Sequence, residues 1–422
     1  GWNVARENFW KPLESVVNQF KLRGSWGELG NQNTSNLYPF YEILPVKSNS
    51  GNWLVNGGKT NTADIPSLVS TLLTWERVRS FNVGFDFGAF SNRLTGSFDY
   101  FVRKTVDMVG PAPQLPLVLG IAPAIVNNAD MKSYGFEIEL SWRDRIGEVD
   151  YGVKFNLADA QQKVVKYPNT TNAFNDWYAG KMSGEIWGYT SLGIAKTDEE
   201  MKEHLASLPN GGQNQLGNKW GAGDIMYADI NGDGKVDGGK GTLADPGDQR
   251  IIGNSTPRYN FGLVLDASYK GFDVSIFFQG VGKRDYAPIV GTNGAVFWGA
   301  VNNIWQSMAM EEHFDYFRPE GHPMGANLNG YYPRPDFTSN KNHQVQTRYL
   351  QDASYIRLKN LQIGYTLPKQ WINKLHINRC RVYVSGDNLW TGTSLASMFD
   401  PETLAAGDWG SGKTYPLSKV IS

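Results

Sequence analysis

The sequence predicts an all-β fold, and within that class a transmembrane antiparallel β-barrel wall with long loops on one side. Three observations carry the expectation: an aromatic- and glycine-rich composition, apolar–polar alternation at period two, and short and long connections that take turns along the chain. Of 422 residues, 13% are Phe, Trp or Tyr and 47 are Gly, while charged residues make up only 19%. Aromatic side chains suit a pleated surface, and strong helix formers are sparse.

Charge is nearly balanced, 40 basic against 41 acidic residues, so no field draws nucleic acid to this chain. A single cysteine, Cys380, excludes an internal disulfide framework and any multi-cysteine metal cluster. No run of about 18 apolar residues occurs, so no helical span is expected. A β-barrel is untouched by that absence, because its spans alternate and never build a long apolar run. No signal peptide opens the chain and Gly1 does not look like a natural start, so the sequence reads as a piece of something longer.

Ten spans follow from the alternation. Over 20–27, Phe20, Leu22 and Trp26 alternate with Lys21, Arg23 and Ser25. Over 81–88, Phe81, Val83, Phe85 and Phe87 alternate with Asn82, Gly84, Asp86 and Gly88. Over 94–103, Leu94, Phe98, Tyr100 and Val102 oppose Thr95, Ser97, Asp99 and Arg103. Over 133–143, Tyr134, Phe136, Ile138, Leu140 and Trp142 oppose Ser133, Glu137, Glu139, Ser141 and Arg143. The pattern returns at 151–157, 259–270, 272–279 and 361–367, and more weakly at 379–390 and from 413 to the end.

The connections decide the architecture. Short links are expected at Ser91–Arg93, at 144–148, at Lys270–Gly271 and over 368–378. Long ones are expected at 30–73, 110–130, 168–255, 286–350 and 391–412. Strict alternation is the signature of a membrane barrel, with tight periplasmic turns and large extracellular loops. A soluble sandwich also alternates faces but gives no reason for long loops at one end only.

One face carries Lys21, Arg23, Asp86, Asp99, Arg103, Glu137, Glu139, Arg143, Lys154 and Asp266, which suits a water-filled lumen. The opposite face suits lipid. Phe87, Phe90, Trp142, Tyr151, Tyr269 and Phe272 lie near the short turns, where an interfacial aromatic girdle is expected. The competing reading is that these rings fill a soluble core.

Seven stretches carry a family resemblance. They are FKLRGSWGELGNQ (20–32), FDYFVRKTVDM (98–108), YGFEIELSW (134–142), GDIMYADINGDGKVD (223–237), IIGNSTPRY (251–259), YLQDASYIRLKNLQIGY (349–365) and VYVSGDNL (382–389). In that order the chain resembles the C-terminal part of the SusC/RagA family of TonB-dependent outer-membrane transporters. The resemblance implies about ten strands of a 22-stranded barrel over 1–422, with the plug domain and first strands absent. It implies a terminal aromatic where this chain stops at Ser422, so the last strand looks cut short. It also implies a SusD-like surface lipoprotein as lid, coupling to TonB through the absent plug, and a dimer of transporter–lipoprotein pairs. The cargo would be oligosaccharide or, as the alternative, peptide.

Two candidate sites stand out. Asp229, Asn231, Asp233, the Lys235 carbonyl and Asp237, with Gly234 at the sixth position, copy the first part of a calcium loop. The twelfth position is Lys240 rather than Glu, and Asp248 or Asp245 would return to complete a structural Ca²⁺ shell. The plainer reading is a tight Asx/Gly turn without an ion. The second candidate is a set of loop aromatics, Trp177, Tyr178, Trp187, Trp220, Trp298 and Trp305, with Trp53 and Trp409 nearby in type. Their faces could stack on sugar rings, or could pack the loops against each other.

No catalytic constellation appears. His204, His313, His322, His343 and His376 are scattered, and no nucleophile elbow, phosphate loop or zinc motif occurs. An extracellular carbohydrate-binding β-protein and a secreted glycosidase are the rival functions, the latter because paired carboxylates meet only in the fold.

Overall fold

The computed structural model describes residues 1–422 apart from 33–39, 67, 71, 112–115, 117, 119, 122, 289–294, 300–309, 337–339, 374–375 and 405–414. Its frame is one 11-stranded sheet in which every strand pairs with its sequence neighbour in the sheet, antiparallel throughout. The strands are β1 (Trp2–Asn3), β2 (Val17–Asn31), β3 (Glu76–Ala89), β4 (Leu94–Gly110), β5 (Val126–Ile146) and β6 (Val149–Lys166). They continue as β7 (Arg258–Tyr269), β8 (Phe272–Lys283), β9 (Tyr355–Thr366), β10 (Arg381–Thr393) and β11 (Val420–Ile421).

Nine of the ten expected spans are full strands, and most run longer than their alternation suggested. Pairing continues above the apolar belt, where both faces meet water and the period-two signal fades. The tenth span is reduced to β11, which pairs Val420 with Asp387 and Ile421 with Gly386. Residues 413–414 of that span lie outside the described residues.

Register puts the expected faces in order. Asp86, Ser97, Glu139, Asn156, Gly262, Gln279 and Arg357 form one row across seven strands. The adjacent row on the other face runs Leu22, Phe85, Phe98, Ile138, Leu157 and Phe261. Rings on the apolar face touch along it: Phe20–Phe85 at 5.8 Å, Phe85–Phe98 at 5.6 Å and Phe98–Phe136 at 6.5 Å between centroids. The same face leaves Trp26 71% and Val382 62% exposed. So much apolar surface in water would be costly, at about 25 cal/mol per Å², and a hydrocarbon belt removes that cost.

The turns explain how neighbouring strands meet. Lys270 and Gly271 both have positive φ, 46° and 90°, as a two-residue hairpin of the twisted type needs. The link between β5 and β6 is tighter than 144–148, because pairing runs to Ile146↔Val149 and leaves Gly147–Glu148 to turn. The connection from β9 to β10 is a folded strap with a short helix at Lys369–Ile372. Girdle contacts form beside the turns: Phe90 on Trp142 at 6.2 Å, Phe272 on Tyr365 at 4.5 Å, and the Trp142 indole donating to the Tyr151 hydroxyl at 3.1 Å.

The principal buried core lies outside the wall. Tyr189, Ile225, Tyr227 and Val236 from the 167–257 loop pack with Phe297, Trp298, Tyr332 and Tyr349 from the 284–354 loop, and with Leu395, Phe399 and Leu404 beyond β10. Inside the first loop, Glu185–Gly188 pairs with Arg250–Asn254 and Ser191–Ile194 with Ile225–Tyr227. A helix at Asp198–Ala206 starts where the Thr197 hydroxyl caps the Glu200 amide at 3.1 Å. The Glu200 carboxylate reaches back to the Lys196 amide at 2.6 Å. The 167–257 and 284–354 loops and the chain after β10 therefore make one folded cap.

Candidate functional site

The polar face of the wall encloses hollows. One of about 510 Å³ is lined by Lys21, Arg23, Asn82 and Asp99, and another of about 560 Å³ by Arg103, Ser133, Glu137 and Gln162. Arg23 sits between two carboxylates, at 2.8 Å from Asp86 and 2.8 Å from Asp99. Gly84 occupies the register position between Arg23 and Asp99, so no side chain blocks the reach across β3. In a charged, hydrated wall of this kind each exposed ion pair adds little stability.

All six calcium candidates lie on one loop. Asp229 accepts the amides of Gly232 at 2.6 Å and Gly234 at 2.8 Å, and Asn231 accepts that of Asp233 at 2.9 Å. Asp248 is fully buried and accepts the amides of Ile230 at 2.7 Å and Asp237 at 2.8 Å. Burial raises the Asp248 pKa against those amides, which lower it. Lys235 lies 2.5 Å from Asp237, and this contact lowers the Asp237 pKa. The donor set is all oxygen, as calcium needs. Among the described residues, however, no three His, Cys, Asp or Glu side chains converge as a metal cage. The loop holds its shape through its own amides.

The aromatic candidates separate by burial. Trp298 is fully buried and stands edge-on to Tyr349 at 4.8 Å, so both faces of its ring serve the cap core. Trp187 stacks on Phe174 at 4.6 Å. Trp220 packs edge-on to Tyr227 at 6.4 Å and lies under the Lys341 ammonium at 5.1 Å. Tyr178 donates to Glu185 at 2.6 Å, and burial with that carboxylate pushes its pKa up to about 12. Trp177 is 39% exposed, and Trp53, at 60%, is more open still. Trp305 and Trp409 lie outside the described residues.

One densely connected polar group among the described residues was only hinted at by the sequence. Asp224, fully buried, meets Arg334 at 2.6 Å, Lys341 at 2.9 Å and the Asn342 amide at 2.9 Å, tying the 167–257 loop to the 284–354 loop. A second group pins the chain after β10 to the wall: Arg357 meets Asp400 at 2.8 Å and Glu402 at 3.1 Å. Only the Gly-Asp of GDIMYADINGDGKVD hinted at the first, and nothing in the alternation hinted at the second.

A sheet apolar on one face and charged on the other, turned tightly at one end and capped at the other, defines the wall of a membrane-spanning β-barrel. The TonB dependent receptor-like, beta-barrel family matches residues 8–389. This chain belongs to that family, whose members reside in the outer membrane. TonB-dependent receptor P3 of Formosa agariphila is 29% identical over 419 residues, covering 95% of this chain and 37% of that protein. TonB-dependent receptor SusC of Bacteroides thetaiotaomicron is 21% identical over 386 residues, covering 88% of this chain and 34% of that protein. Among solved structures, the RagAB peptide transporter superposes with a TM-score of 0.71 at 22% identity, covering 100% of this chain and 42% of its own. The SusC/RagA resemblance thus holds in both sequence and fold, and these relatives are receptors and transporters rather than enzymes. The chain spans well under half the length of each of them.

Proposed function

We propose that this chain is the C-terminal wall and much of the extracellular cap of a TonB-energised importer of SusC/RagA type, the rest of the barrel and the plug lying in other segments. The observation that supports it is the conjunction of a charged inner face with three long loops folded into one cap over the same end of the barrel. The cargo is an oligosaccharide, with Trp177 offering ring surface at the cap; peptide is the second reading, favoured by the RagAB peptide transporter among the matched folds. A SusD-like surface lipoprotein closes over the cap, and pairs of such complexes form the dimer. The test is uptake of fluorescently labelled oligosaccharides and peptides by cells with and without TonB. Accumulation that depends on both TonB and this gene supports the reading, and uptake indifferent to TonB refutes it.

Calcium belongs to the same proposal as a structural ion. Asp229, Asn231, Asp233, Asp237, Asp248 and the Lys235 carbonyl would hold it, and Lys235 would release Asp237 to it. Millimolar calcium outside the cell suits a site with an incomplete shell. Adding a chelator should then speed amide exchange over 229–248 in the wild type but not in Asp229→Ala/Asp233→Ala. Identical exchange with calcium and with chelator would leave the loop as a turn.

A further inference from the structure

At the extracellular ends of β6, β7 and β8, where the 167–257 loop leaves and re-enters the wall, lies a polar hollow of about 220 Å³. Its lining includes Gln161 and Gln162 from β6, Met182 and Ser183 from the loop, and Arg258 and Lys283 from β7 and β8. Arg258 belongs to the stretch IIGNSTPRY, and Gln162 also borders the wall hollow that Arg103, Ser133 and Glu137 line.

The hollow is preformed. The Ser183 amide donates to the Gln162 carbonyl at 2.9 Å. The Ser183 carbonyl accepts from Asn254 at 2.9 Å and from the Thr256 hydroxyl at 2.8 Å. Arg258 and Lys283 are paired in register across β7 and β8. Arg258 is locked by Asp159 through Nε and Nη2, which leaves Nη1 unspent. A site held this firmly loses little entropy when a ligand enters.

Its chemistry is that of a donor cluster. Gln161, Gln162, Ser183, Arg258 and Lys283 all carry hydrogen-bond donors. Every carboxylate nearby is engaged elsewhere. Asp159 holds Arg258, Glu185 accepts the Met182 amide at 2.7 Å and the Tyr178 hydroxyl at 2.6 Å, and Asp285 accepts the Asn254 amide at 2.7 Å. No acid lines the hollow itself. Donors around an ammonium and a guanidinium, with no acid in the lining, select a negative, planar acceptor.

We propose that this hollow binds a carboxylate carried on a hydrogen-bonding body, with Lys283 and Arg258 Nη1 facing the charge and one of the two adjacent glutamines, which point to opposite faces of β6, holding its neighbouring hydroxyl or amide groups. The proposal rests on the importer reading and deepens it, since it names a chemical group that the cargo bears. A peptide C-terminus and a uronate sugar share that group.

The test uses the full-length transporter purified in detergent and titrated calorimetrically with two matched pairs of probes. One pair is trialanine and trialanine amide; the other is trigalacturonate and galactotriose. The carboxylate member of at least one pair should bind about tenfold more tightly than its neutral twin. Lys283→Gln, a change at an exposed side chain, should remove that ratio while leaving heat-modifiable migration of the barrel intact. Preference within the first pair identifies peptide as the source, and within the second, acidic sugar. Absence of preference in both pairs, absence of binding by every probe, or a ratio unchanged in Lys283→Gln overturns the proposal. Energised uptake is scored separately in cells. Binding preserved with uptake independent of TonB would refute the importer reading and leave the pocket standing.

Discussion

Asp224 shows what a single residue does in this cap. Its carboxylate is fully buried and neutralises Lys341, itself almost wholly buried, across two loops. Removing Asp224 leaves the buried Lys341 with only the more distant Asp336 carboxylate, at 3.7 Å, at a cost of up to about 3–5 kcal/mol. Asp224→Ala should therefore loosen both the 167–257 and 284–354 loops together, read as faster amide exchange and proteolysis in the two segments. Heat-modifiable migration should persist, because the strands do not pass through Asp224. Loosening confined to the first loop would show that the pair does not join them. The sequence could not reveal this residue, because Arg334 and Lys341 lie 110 and 117 positions away and nothing local marks them as partners. The tryptophans failed to declare themselves for a related reason. Trp298 and Trp177 are equally good stacking rings by type, and only the packing of three loops buries one and leaves the other open.

At the level of the element, the strands were the most legible part of the chain. A period of two survives wherever lipid and lumen lie on opposite faces, so Phe81–Gly88 announced β3 by itself. Strand ends were less legible, because above the belt both faces are wet and Arg77 or Lys163 carries no information about facing. The wall also depends on glycines whose neighbours cannot be read from sequence. A Cβ on Gly84 would lie 2.4 Å from the Phe98 carbonyl of β4, as well as meeting Asp99. Backbone there cannot yield without opening the β3–β4 ladder, and such overpacking costs about 1–3 kcal/mol. Gly84→Ala should lower the temperature at which the barrel loses its compact migration and should weaken the Arg23–Asp99 pair. Gly27→Ala, with nothing within 4 Å, is the matched control and should leave that temperature unchanged. Equal behaviour of the two variants would contradict the register described for β2, β3 and β4.

For the whole molecule, the account requires that one end of every long strand faces the cell exterior and the other the periplasm. Composition and alternation brought the sequence as far as this topology, and the family match bears out the barrel. What they could not bring was the cap, whose core joins segments more than a hundred residues apart through buried aromatics. The most direct measurement is cysteine accessibility on intact cells, in full-length protein carrying Cys380→Ser and a serine at any cysteine of the other segments. Single cysteines replace Asn175 and Asn329 on the cap, and Glu148 and Lys369 at the opposite end; all four side chains are exposed, so access depends on the membrane alone. A membrane-impermeant maleimide should label Asn175→Cys and Asn329→Cys on whole cells. It should reach Glu148→Cys and Lys369→Cys only after the outer membrane is opened. Labelling of Glu148→Cys and Lys369→Cys on intact cells, at the rate seen for the cap positions, would contradict the barrel topology.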